Sequence, residues 1–156
     1  MQTLERVTPW WAALTVWGIV NLVNLLQAAG FLSRVPTGSR AINHILGYGI
    51  IVLAIPASIA LVAFWQARSG WRHLAGPAMY LAFILFMISV EYIWPVEFRS
   101  PMRYDILVPY LLLFFGSILL MGIPMVRINR RRWLVTVATT VLLVTSMVYA
   151  IAMGVG

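Results

Sequence analysis

Five apolar runs, at residues 10–32, 45–66, 76–94, 106–126 and 133–154, leave this chain few ways to fold. Each is close to the ~20 residues that an α-helix needs to cross the hydrocarbon core of a bilayer. A backbone in hydrocarbon must satisfy its own polar groups, so runs of this length and composition predict helices. The remainder consists of short, arginine-bearing connections with no room for a soluble domain. The expected architecture is therefore an all-α polytopic integral membrane protein: one transmembrane domain over 1–156, a bundle of five helices with short loops. The first run follows Arg6 but is too long for the apolar core of a signal peptide, and no small-residue cleavage pattern follows it. It is expected to remain as a span.

Composition supports the same class. Hydrophobic residues make up 62% of the chain, against about 45–50% in soluble domains. The net charge of +7 comes from eleven arginines and no lysine. In a soluble protein that balance would point to nucleic acid. Here the arginines lie between apolar runs, where lipid headgroups and topology account for them, and no nucleic-acid partner is expected. The absence of lysine beside many Trp, Arg, Ala and Gly fits a GC-rich bacterial genome, and hence a bacterial cytoplasmic membrane. With no cysteine, thiol chemistry and disulfides are excluded.

Orientation follows from the arginines. With five spans, the N-terminus and the second and fourth loops share a side that holds Arg6, Arg68, Arg72, Arg127, Arg130, Arg131 and Arg132. The other side holds Arg34, Arg40, Arg99 and Arg103. The imbalance predicts a cytoplasmic N-terminus and an external C-terminus. Arg127 and Arg130 to Arg132 carry most of the signal and are expected to act as a topology anchor or lipid-headgroup contact. Trp10, Trp11, Trp65, Trp71, Trp94, Tyr104 and Trp133 fall where an interfacial aromatic belt would place them. Pro77 suits a helix start and Pro95 a helix stop, and kinks are expected at Pro56, Pro109 and Pro124, although Pro109, in the first turn of its span, is tolerable there without a bend.

Chemistry-bearing residues are sparse. Asn21, Asn24 and Gln27 cover one arc of the first span, and amides avoid lipid. They serve either as bonds between helices or as the lining of a polar path. Glu91 is the only acidic residue inside a run, about 4–5 Å from its outer boundary at 1.5 Å per residue. Gln27 lies at a similar depth on the first run and is its expected neighbour. The third loop adds Glu97, Arg99, Arg103 and Asp105, and His44 stands before the second run. Together these nine residues form a candidate polar pocket at the outer face, competing with ordinary salt bridges between loops. His44 and His73 are separated by a whole span, so they cannot share a metal or haem. No metal site, cofactor or catalytic motif is expected. Small residues at four-residue spacing (Ser146, Ala150 and Gly154; Ala54 and Ser58) permit close helix approach, within the chain or against a partner. Gly47-Tyr-Gly49 is expected to pack closely, and the threonines of the fifth run to bond back to their own helix.

Three functions fit these residues. The first is a non-enzymatic accessory or assembly subunit, or a small homo-oligomer. The second is a binder or transporter of a small amphipathic molecule through the outer polar pocket. The third is an intramembrane enzyme using Glu91, Glu97, His44 or Asp105. Beyond the lipid bilayer, the expected partner is another membrane protein or a second copy of the chain.

Overall fold

The computed structural model describes residues 8–39, 41–98 and 102–155, and these form an all-α bundle. Five helices are long and apolar enough to cross a membrane, the pattern of a multi-pass membrane protein. They are α1 (Trp10–Thr37), the pair α2 (Ala41–Val52) and α3 (Ala54–Gln66), α4 (Trp71–Met87) continued by a π-helical turn (Ile88–Ile93), the pair α5 (Tyr104–Gly122) and α6 (Met125–Ile128), and α7 (Arg130–Ala152). Large apolar side chains such as Ile55, Leu85, Leu112 and Val141 stay more than half exposed on the outside of the bundle. A surface of this kind is untenable in water and suits hydrocarbon.

Proline explains both interruptions. Pro56 lacks an N–H and its ring crowds the carbonyl of Val52, and the helix breaks at Leu53 between α2 and α3. The Tyr80 hydroxyl donates to the Ile50 carbonyl just before the break, at 2.7 Å. Pro124 separates α5 from α6 in the same way. Pro109, by contrast, sits inside an unbroken α5.

Several boundaries differ from the sequence expectation. α1 continues through Pro36 to Thr37 and stops at Gly38, whose φ of 61° and N–H bond to the Arg34 carbonyl make an αL cap. α4 begins at Trp71, so Pro77 lies within the helix rather than at its start. The neighbouring Gly76 is a packing notch: a Cβ there would fall 2.7 Å from the backbone nitrogen of Met121 on α5. α7 begins at Arg130, not at Trp133, with Asn129 as its N-cap accepting from the Arg132 N–H at 3.1 Å. Three arginines therefore occupy a first helical turn, where the helix dipole disfavours positive charge.

α1 is the central element. It packs along α7, against α2 and α3, and lightly on α5, while α4 lies between α3 and α5. An odd number of spans makes α1 and α7 parallel, and a ladder of side-chain bonds joins them. Trp17 Nε1 donates to the Arg132 carbonyl at 2.9 Å, and Asn21 Nδ2 donates to Thr136 Oγ1 at 3.2 Å. Asn24 Nδ2 reaches Thr139 Oγ1 at 3.1 Å and Thr140 Oγ1 at 3.0 Å. Small residues complete the seam, with Ser146 and Ala150 buried on α7.

The end of the bundle holding Trp10 is called the near end below, and that holding Thr37 the far end. At the near end α5 and α7 meet, since a Cβ on Gly122 would lie 3.3 Å from Thr136 Cγ2. Along the rest of their length these two helices make almost no contact. Towards the far end both helices contribute to the lining of a cavity, Leu111, Phe114 and Phe115 from α5 and Met147 and Ile151 from α7.

Candidate functional site

The far-end cavity encloses about 690 Å³, within the ~300–1,000 Å³ range of small-molecule sites. Its depth is apolar and aromatic. Met87 and Val90 come from α4 and its π turn, Phe98 from the following link, Leu107, Tyr110, Phe114 and Phe115 from α5, and Met147 and Ile151 from α7. Phe98, Tyr110 and Phe114 are buried and continue into a ring stack, with Phe83 lying 5.2 Å from Phe114 and 5.3 Å from Tyr110 between centroids. Tyr110 and Phe98 are likewise 5.3 Å apart. Such contacts fix the wall rigidly.

The polar part of the lining comes from four segments. Gln27 and Arg34 project from α1, Asn43 and His44 from α2, Glu91 from the π turn, and Glu97 from the link. Arg34 is only 5% exposed, an unusual degree of burial for a guanidinium. Its Nε donates to Asn43 Oδ1 at 2.9 Å, and its charged carbon lies 4.8 Å above the Phe31 ring. This arrangement pins α1 to α2 and sets a cation in the cavity wall. The π turn widens the helix at the point where Glu91 emerges; its i to i+5 pattern closes with Trp94 N–H donating to the Ser89 carbonyl at 2.9 Å. Wide turns of this type are frequent at functional sites.

His44 is held by aromatic neighbours. Its ring is 4.5 Å from that of Tyr92 and 5.7 Å from that of Tyr48, and the Tyr92 hydroxyl donates to the His44 carbonyl at 3.0 Å. Gly47 makes room for this, because a Cβ there would collide with the Tyr92 hydroxyl. His73 lies at the near end, stacked 5.4 Å from Phe64. Among the described residues no group of three His, Asp or Glu side chains could hold a metal ion.

The nine pocket residues expected from sequence thus separate. Gln27, His44, Glu91 and Glu97 line the one cavity. Asn21 and Asn24 are buried in the α1–α7 seam instead, with Asn21 Oδ1 also accepting from Thr139 Oγ1 at 2.8 Å. Their threonine partners bond to their own helix as well, Thr140 Oγ1 donating to the Thr136 carbonyl at 2.8 Å. Asp105 and Arg103 form an exposed ion pair at 2.8 Å outside the lining, worth little in stability. Arg99 lies outside the described residues.

Arg34, which the sequence placed only among the arginines of the outer side, joins the site, as does Asn43. A signal was present for the first: Arg34 follows Gln27 by seven residues, two helical turns, and so shares its face. The arginines expected to act as an anchor gather at the near end: Arg127, Arg130 and Arg131 are exposed, and Arg132 is half-buried, its guanidinium carbon 5.8 Å from the Trp17 ring. Comparison with protein-family models, with curated proteins and with solved structures gives no match.

Proposed function

We propose that this chain is an integral protein of a bacterial cytoplasmic membrane that binds a small amphipathic molecule in the far-end cavity. The carrying observation is the cavity itself: a rigid apolar and aromatic interior capped at one end by Gln27, Arg34, Asn43, His44, Glu91 and Glu97. An apolar body would rest against Phe114, Phe115 and Met147 and a polar group against the cap, the division of labour usual in ligand sites. The arginine-rich near end supports a cytoplasmic N-terminus, which sets the cavity in the outer leaflet and the C-terminus outside.

The test is saturable binding of a fluorescent single-chain amphiphile, dansyl-aminoundecanoic acid, to the protein in lipid nanodiscs. Met147→Trp, which fills the cavity from its outward wall, should abolish the saturable component. Equal binding by the wild type and this variant would refute the reading. An accessory or assembly role, or self-association, is the second reading. It draws on the outward faces of α3 and α7, although Ser146 and Ala150 are already used within the chain. Stoichiometric copurification with another membrane protein would favour it.

A further inference from the structure

We infer that the near end is a docking surface for anionic phospholipid headgroups, with the first turn of α7 at its centre. This rests on the reading of the chain as a membrane protein and is independent of what fills the far-end cavity.

Charge is divided along the bundle. Arg68, Arg72, Arg127, Arg130, Arg131 and Arg132 lie at the near end, and among the described residues no carboxylate accompanies them. In the sequence Glu5 is offset by its neighbour Arg6, so these six arginines account for six of the seven net positive charges. Glu91, Glu97 and Asp105 belong to the far end, where they nearly balance the four arginines of that side. Headgroups with a net negative charge therefore have one end of the bundle to prefer, and zwitterionic headgroups have neither.

The depth of the basic turn makes it a headgroup surface as well as a topology signal. The bonds of Trp17 to Arg132, Asn21 to Thr136 and Asn24 to Thr139 share one offset along the chain. α1 and α7 thus run in step, and Arg130 is level with Thr15 rather than with Trp10, where α1 begins. At 1.5 Å per residue, α1 projects past the start of α7 by roughly 7–8 Å. The exposed indoles of Trp10 and Trp11 ride on that projection, and interfacial tryptophans sit at the headgroup level. Arginines rooted inward of them and snorkelling outward end among lipid phosphates, not in bulk water. A guanidinium can bind a phosphate through two parallel N–H donors. Arg72 repeats the pairing on α4, its guanidinium carbon 5.9 Å from the exposed Trp71 ring. Anionic headgroups would also offset the mutual repulsion of three arginines in one turn and their conflict with the helix dipole.

The experiment uses the full chain in vesicles of phosphatidylglycerol and phosphatidylethanolamine, mixed in the same ratio in both leaflets so that the direction of insertion is immaterial. A benzophenone amino acid replaces Leu134 or, as a control, Val148, both exposed on α7. Leu134 lies about one turn beyond Arg130, and Val148 about four turns further on, on nearly the same face. After irradiation, the adducts are resolved by mass spectrometry. Those at Leu134 should be several-fold richer in phosphatidylglycerol than those at Val148, and the excess should shrink in high salt. Replacing three exposed side chains together, Arg127→Gln, Arg130→Gln and Arg131→Gln, should bring the Leu134 adducts close to the Val148 ratio. Equal ratios at the two positions in the otherwise unaltered chain, or an excess that survives the triple substitution, would overturn the inference. Release of the protein from the vesicles by alkaline carbonate would overturn the membrane reading and the inference with it.

Discussion

The indole N–H of Trp17 is bonded to the backbone carbonyl of Arg132, 2.9 Å away on a helix 115 residues further along the chain. The same offset recurs at Asn21 with Thr136 and at Asn24 with Thr139, so the seam between α1 and α7 has a single register. It separates what holds the bundle together from what lines its cavity.

Asn24→Ala should therefore weaken folding without touching the ligand site. Interhelical bonds of this kind contribute about 0.6 kcal/mol on average and up to ~1.7. The substitution removes two, and a loss of about 1 kcal/mol is expected from reversible unfolding in mixed micelles. Amphiphile binding to the folded fraction should be unchanged. A large change in affinity with stability intact would show that the seam and the cavity are coupled.

Gly47 and Tyr92 form a steric pair. Gly47→Ala drives a methyl into the Tyr92 hydroxyl, an overpacking expected to cost about 1–3 kcal/mol. Adding Tyr92→Phe deletes the clashing oxygen and should restore most of the loss. Additive damage in the double variant would place the strain elsewhere.

Gly76 and Gly18 offer a contrast within one measurement. A Cβ at Gly76 meets backbone of α5, which cannot move aside, while at Gly18 nothing lies within 4 Å. Gly76→Ala should destabilise by about 1–3 kcal/mol. Gly18→Ala should be neutral or stabilise by up to about 1 kcal/mol through helix propensity. Equal effects would mean that α4 and α5 do not cross closely at this notch.

Orientation can be read by labelling, because the chain has no native cysteine. Ser39→Cys at the far end and Ile128→Cys at the near end both occupy exposed positions. An impermeant thiol reagent applied to intact cells should modify the first and spare the second. The reverse pattern would invert the topology and move the cavity to the inner leaflet.

The five spans were legible because each exceeds the length at which only a helix satisfies a backbone in hydrocarbon. Their ends were less so. Pro77 looked like a helix start, yet Trp71 to Gly76 are helical because α5 packs into the notch ahead of the proline. The arginines from 130 to 132 read as loop, since their charge opposes the helix dipole, but the Asn129 cap draws them into α7. Within the polar stripe, periodicity placed Asn21, Asn24 and Gln27 on one arc. It could not say that α7 covers the first two while Gln27 faces a cavity. That depends on the tilt of distant helices, which no local pattern encodes.

The parallel seam also bears on how the protein assembles. The fifth helix packs chiefly on the first, so during synthesis the partner of Asn21 and Asn24 enters the membrane only after the other four spans. Until then those two amides lack the threonines that receive them, in a solvent that offers few substitutes. A nascent chain halted before residue 130 should accordingly persist as a loosely joined intermediate, prone to recruit any hydroxyl-bearing helix in its neighbourhood. Commitment to the native arrangement would come from the arrival of α7, which makes insertion of this span the step that quality control has reason to monitor.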